Sequence, residues 1–251
     1  NNIANSNNKT IWIYDQNDQR CLTFQNPYFT KNKQTCIYRD SLHKPVFKYF
    51  KMILSGLYIQ SEPKKALVLG LGGGGIVHSL KFLFPDLHID IVELDSAIIK
   101  ISKEYFYIQE SDKLKLYNQN ALDYATYANR QKLQYDFIIS DTFDEKYIPK
   151  ELLTENYILK LKSLLTEKGV LVVNTFRSSV TYKMETDLVL NCFGEFYNLV
   201  DANRIIIASK QRPLPSISEI ENKAKKWHNI FESIGINDDF LLKKFHLLSQ
   251  F

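Results

Sequence analysis

The stretch Ala66-Leu67-Val68-Leu69-Gly70-Leu71-Gly72-Gly73-Gly74-Gly75-Ile76 decides the fold. Its first four residues form a short apolar run of the kind buried on both faces in a parallel sheet. Five of the next six positions are glycine, and an amphipathic pattern from Ile76 to Phe84 follows, stopped by Pro85. Glycine loses more entropy on folding than any other residue, so such a run is a costly way to make a plain turn. It suits a loop whose backbone must approach a ligand, with the N–H groups of the following helix aimed at it. The candidate ligand-binding glycines are Gly70, Gly72, Gly73 and Gly74.

Outward from this loop, apolar strands and amphipathic helices alternate. Strands are expected at Ile89–Leu94, Leu114–Tyr117, Asp136–Ser140, Gly169–Val173 and Arg204–Ala208. Helices are expected at Pro45–Tyr58, Ser96–Phe106 and Pro149–Leu165. The alternation implies right-handed crossovers and a doubly wound, mostly parallel Rossmann-like α/β sheet. Before it, Thr10–Tyr14, Cys21–Phe24 and Gln34–Tyr38 read as a small antiparallel β domain. The expected organisation is a disordered tail over 1–9, a β-rich domain over 10–44, the Rossmann-like domain over 45–215 and a helical tail over 216–251.

Composition narrows the classes. The 251 residues carry 32 Lys plus Arg against 28 Asp plus Glu, an excess too small and too scattered for a nucleic-acid surface. Lys223, Lys225 and Lys226 read as a solvated helix face. No apolar run reaches the roughly 18–20 residues that span a bilayer. The three cysteines, Cys21, Cys36 and Cys192, lack zinc spacing, and their odd number reads as reduced thiols in a cytoplasmic, metal-free protein.

Five further positions carry chemistry. Glu93 ends the second strand, 23 residues after Gly70, where an acid can accept from both ribose hydroxyls of a nucleoside. Asn120 follows the third strand and suits either the adenine amino group or a helix cap. After the fourth strand, Asp141, Asp144 and Glu145 place three carboxylates in five residues at the carboxyl end of the sheet. A cation between them would relieve their repulsion, and an attacking ammonium needs a base there. The scattered histidines offer no hydride-transfer constellation, which disfavours a nicotinamide oxidoreductase.

From about Thr10 to about Phe176 the chain resembles the spermidine synthase (polyamine aminopropyltransferase) family, in a divergent branch. The resemblance rests on the glycine loop, Val92-Glu93-Leu94-Asp95, Tyr135-Asp136 to Asp144, and Leu152-Leu153-Thr154-Glu155-Asn156-Tyr157. It implies a fold of the S-adenosylmethionine-dependent methyltransferase type and a cytoplasmic homodimer. The implied reaction is aminopropyl transfer from decarboxylated S-adenosylmethionine to putrescine or a related amine, releasing methylthioadenosine. It assigns Glu93 to the ribose, Asn120 to adenine, Asp141 to deprotonation of the amine, and Asp144 to the acceptor's nitrogen; Glu145, which stands where the family has Pro, is a further candidate for holding the acceptor. Gln34, Tyr38 and Asp40 are the nearest counterparts of the family's N-terminal acceptor-binding residues. The family's glycine motif holds an Asp for the donor's aminopropyl nitrogen; Gly73 stands in its place. That change favours an alternative of the same fold, methyl transfer from S-adenosylmethionine, whose own carboxylate the loop N–H groups could receive. A catalytically inactive nucleoside- or polyamine-binding homologue is the third reading.

Overall fold

A computed structural model describes residues 2–6, 9–29, 33–143 and 147–250. Two sheets organise the chain. The first is antiparallel with strands in chain order: β1 (Asn2–Ser6), β2 (Lys9–Gln16), β3 (Gln19–Thr23) and β4 (Thr35–Tyr38). The second contains β5 (Lys65–Leu69), β6 (His88–Glu93), β7 (Leu114–Asn118), β8 (Tyr135–Ser140) and β9 (Leu165–Phe176). It is completed by β10 (Glu195–Val200), β11 (Asn203–Ser209) and β12 (His246–Ser249), in the order β12-β10-β11-β9-β8-β5-β6-β7. Strands β7, β6, β5, β8 and β9 pair in parallel, whereas β11, β10 and β12 are added antiparallel at one side.

The helices are α1 (Lys48–Leu54), α2 (Gly75–Leu83), α3 (Ser96–Tyr105), α4 (Ala121–Arg130), α5 (Glu155–Ser163), α6 (Tyr182–Phe193), α7 (Ile217–Ser233) and α8 (Asp238–Leu242). Alternate residues of β5 explain its continuous apolar run. Ala66 and Val68 enter one core with Ile53, Leu80 and Phe231, while Leu67 and Leu69 enter the other with Tyr124, Leu161 and Phe193. Each face of the sheet thus has its own helical layer. The N-terminal sheet packs Ile11, Ile13, Leu22 and Ile37 against Ile98, Ile101 and Phe106. This seats β4 beside the start of α2, the glycine-loop end of the large sheet. Among the described residues no helix is long and apolar enough to cross a membrane.

The doubly wound sheet and the antiparallel N-terminal sheet match the expectation; several local readings do not. Residues 2–6 form β1, paired with β2 from Asn2↔Ile13 to Ser6↔Lys9, where a disordered tail was expected. The stretch from Pro149 is not one helix. A short 3-10 turn spans Lys150–Leu152, and α5 begins after Thr154, whose hydroxyl accepts from the Tyr157 N–H. The strand expected from Gly169 is part of β9, which begins four residues earlier at Leu165. The C-terminal tail is not wholly helical, because β12 returns to pair with β10.

The cysteine reading is also corrected. Antiparallel register sets Cys21 opposite Cys36, with Cα atoms 4.1 Å apart, and the two form a disulfide. Cross-strand neighbours are close enough to bond whatever the parity of the total. Cys192 is the remaining thiol, buried in α6.

Candidate active site

The sheet order reverses between β5 and β8: β6 and β7 lie to one side of β5, and β8 and β9 to the other. Loops leaving the carboxyl ends of two such strands diverge and open a crevice. Here the β5 exit is the glycine loop and the β8 exit is Asp141. The Asp141 N–H donates to the Leu69 carbonyl at 2.9 Å, so the two exits are tied together at their base. Gly70 is required at this junction. Its φ is +92°, and a Cβ there would lie 2.2 Å from the Asp141 carbonyl oxygen.

Gly72 and Gly74 also take positive φ, +51° and +69°, and Gly74 caps α2. The loop therefore delivers its backbone to the crevice and then directs the first N–H groups of α2 toward it. Glu93, at the end of β6, braces the arrangement. Its Oε2 accepts from the Leu71 N–H at 2.9 Å and its Oε1 from the Asp95 N–H at 2.9 Å. Burial pushes the Glu93 carboxyl above its ordinary value, opposed by those backbone donors. Each carboxylate oxygen keeps further acceptor capacity for a hydroxyl.

Asp141 accepts from the Asn174 side-chain amide at 2.7 Å. Burial raises its carboxyl from 3.8 to about 6; the Asn174 hydrogen bond works against this rise and the Glu93 charge adds to it. A carboxylate poised near neutrality at the end of a central strand suits general-base work. Tyr49 of α1 faces the same group: burial and the Asp141 charge hold its phenol well above its usual range. The hydroxyl of Thr142, the next residue, is buried without a hydrogen-bond partner among the described residues. Such an orphan at a crevice fits a polar ligand group. Beyond it Phe143, Tyr147 and Phe176 form an aromatic cluster, with ring centroids 4.7 Å apart for Phe143 and Phe176.

Residues 46–222 match the spermine/spermidine synthase domain. The chain belongs to the spermine/spermidine synthase family. It is 36% identical over 235 residues to a polyamine aminopropyltransferase from Vibrio vulnificus, covering 90% of this chain and 77% of that protein. The fold matches human methyltransferase-like protein 13 in complex with SAH (TM-score 0.68, 22% identity, 74% of this chain and 93% of that one). It also matches spermidine synthase in complex with the transition-state analogue AdoDATO (TM-score 0.68, 19% identity, 95% and 85%). Transferase is the class these relatives share.

Against the family's pattern, the structure shows why position 73 carries no side chain. A Cβ on Gly73 would lie 2.8 Å from the Phe106 ring and 2.9 Å from the Thr35 methyl. Phe106 is fully buried, with its carbonyl 2.7 Å from Nε2 of His78. The volume that an Asp side chain would need is occupied by hydrocarbon.

The other expected residues divide. Gly70, Gly72, Gly73, Gly74, Glu93 and Asp141 converge on the crevice. Asn120 caps α4, its side-chain oxygen accepting from the Leu122 N–H at 2.8 Å. Thr35, next to Gln34, is the β4 residue that meets Gly72 and Gly73. Tyr38 lies three residues further along the strand, about 10 Å away, and lines a surface recess with Asp18, Asp40, Lys44 and Lys51. Asp144 and Glu145 lie outside the described residues. Tyr49, Asn174 and Thr35 are site residues that the sequence reading did not single out. Asn174 had a readable signal, a polar residue closing the apolar run Val170–Val173 at the carboxyl end of a parallel strand.

Proposed function

We propose that the protein transfers an aminopropyl group from decarboxylated S-adenosylmethionine to putrescine or a related small amine and releases methylthioadenosine. The observation that carries this reading is the buried Asp141 carboxylate, tied to the glycine loop at the crossing point of the sheet. The extent of likeness to a polyamine aminopropyltransferase supports it.

The chemistry follows from this placement. Glu93 holds the ribose hydroxyls, Asn120 approaches the adenine, and the backbone of Gly70 to Gly74 lies against the nucleoside. The acceptor amine enters on the Asp141 side, where Asp144 and Glu145 hold its distal nitrogen. Asp141 takes a proton from the attacking ammonium. The freed nitrogen lone pair bonds to the propyl carbon attached to the sulfonium, and the carbon–sulfur bond breaks with its electron pair going to sulfur. The leaving group is a neutral thioether, so alignment of nitrogen, carbon and sulfur supplies most of the catalysis.

One observation favours the second reading, methyl transfer from S-adenosylmethionine. The hydrocarbon around Gly73 gives a donor ammonium no partner from the loop. Calorimetric titration with decarboxylated S-adenosylmethionine and with S-adenosylmethionine, each competed by methylthioadenosine, separates the two. Tighter binding of the decarboxylated donor, with turnover of putrescine, is expected. Tighter binding of S-adenosylmethionine, with no aminopropylated product, would overturn the proposal in favour of methyl transfer.

A further inference from the structure

Asp141 does not stand alone at the edge of the crevice. Its partner Asn174 is only 2% exposed, and the Asn174 carbonyl oxygen accepts from the side-chain amide of Asn203 at 2.9 Å. Register explains the chain of contacts. Asn174 of β9 lies opposite Ile205 of β11, and Asn203, two residues earlier, occupies the diagonal position on the same face. Asn203 itself opens β11 after a tight turn, in which the Asp201 N–H donates to the Asn203 carbonyl at 2.8 Å.

An amide side chain has two ends of opposite character, and its orientation is set by whichever end is engaged first. In the structure Asn203 donates and the side-chain oxygen of Asn174 faces it. The NH2 of Asn174 is then left facing Asp141, which is the orientation an ionised carboxylate needs. We infer that Asn203 is a positioning residue, acting through Asn174 to present a hydrogen-bond donor to Asp141 and so hold Asp141 in its proton-accepting form. The inference rests on the proposed role of Asp141 as base.

Among the described residues, the titratable groups that act on Asp141 from other elements are Glu93 from β6 and Tyr49 from α1. Glu93 disfavours the ionised form by its charge. The amide relay is the described interaction that opposes it, together with solvent. Near the far end, Asp201 is paired with Lys48 and Lys244, and Arg204 with Glu185. These charges are therefore engaged away from the relay.

The test reverses the relay. In Asn203→Asp the new carboxylate can only accept, so the Asn174 amide turns its NH2 toward position 203 and its oxygen toward Asp141. The acid limb of kcat/KM should move up by about one pH unit or more, as should the titration of the Asp141 side chain followed by carbon NMR. The added charge would itself raise Asp141, so the same change is made in an Asn174→Leu background, where only the through-space effect remains. A shift at least twice as large with Asn174 present is the expected result. Equal shifts in the two backgrounds would overturn the relay. The NMR titration needs no turnover, so it reports on the relay even if the chain does not transfer aminopropyl groups. A normal relay without product would sink the proposed reaction instead.

Discussion

Replacing Asp141 with Asn should stabilise the protein, and the gain should itself depend on pH. Asn has the same shape, and its carbonyl oxygen can still accept from Asn174. What disappears is a carboxyl whose ionisation the fold disfavours, having moved from 3.8 to about 6. At about 1.4 kcal/mol for each tenfold change in proton affinity, that displacement corresponds to about 3 kcal/mol. Asp141 keeps some solvent contact, so about 2 kcal/mol is the expected effect. The sign follows from proton binding. Below about pH 3.8 the carboxyl is protonated in folded and unfolded chains alike, and the substitution gains nothing from this source. As pH rises toward about 6, the unfolded chain releases the proton while the folded one retains it, so the parent protein loses stability relative to the variant. Above that range the difference is constant. Urea unfolding of both proteins, stepped from about pH 4 to about pH 8, reads it directly. A difference that stays flat across this range, or a parent protein more stable than Asp141→Asn at the alkaline end, would refute the reasoning.

The glycine junction gives a sharper steric prediction. Gly70→Ala drives a methyl into the Asp141 carbonyl and should cost more than about 3 kcal/mol. Gly235→Ala shares the positive φ but meets nothing within 4 Å, and should cost only about 1–2 kcal/mol; comparable losses in urea unfolding would contradict the junction. Glu93→Gln turns an amide NH2 toward either the Leu71 or the Asp95 N–H. It should weaken methylthioadenosine binding by about tenfold to a hundredfold, read by calorimetry. Glu185→Gln leaves the fully buried Arg204 guanidinium without its charge partner at 3.4 Å. It also disturbs the acceptor of the Tyr147 hydroxyl, and a loss of about 3 kcal/mol is expected in urea unfolding.

The sequence was most legible where one local rule acted alone. The run at Ala66–Leu69, the glycines and Pro85 predict β5, the loop and α2 nearly to the residue, because burial on two faces, backbone freedom and a helix stop each leave a distinct mark. Glu93 was legible by its distance from Gly70. Strand pairing and register were not. The polar segment Asn2–Ser6 becomes a strand because β2 offers it an edge, and His246–Ser249 becomes one because β10 does. The Cys21–Cys36 disulfide depends on the register of β3 with β4, which the odd number of cysteines concealed. Asn203 was invisible for the same reason, since its neighbour Asn174 is supplied by an antiparallel strand nearly thirty residues away. Position 73 shows the converse: Gly73 was conspicuous as a departure, but the reason for it lies in Phe106, a residue that reads as an ordinary helix end until α3 is packed beside the loop.

Two acids of the crevice, Glu93 and Asp141, acquire a common purpose once charge is followed through the proposed reaction. Glu93 and Asp141 are both buried enough to resist ionisation, and the Glu93 charge adds to the resistance of Asp141. A sulfonium donor brings a positive charge into this surrounding and favours the ionised form of both carboxyls, so binding readies Asp141 to accept a proton. Transfer then converts the sulfonium into a neutral thioether. Asp141 has by then taken a proton from the arriving ammonium, and the positive charge that leaves sulfur as the carbon–nitrogen bond forms reappears on the nitrogen beside it. The base is thus ionised with the donor bound, which is when the ammonium arrives with the proton it must lose. A fully solvated carboxylate, responding weakly to a charge in water, would gain little from the same sequence. In the proposed reaction, burial of Asp141 costs stability in the resting protein and makes its ionisation respond to the charge of the bound donor.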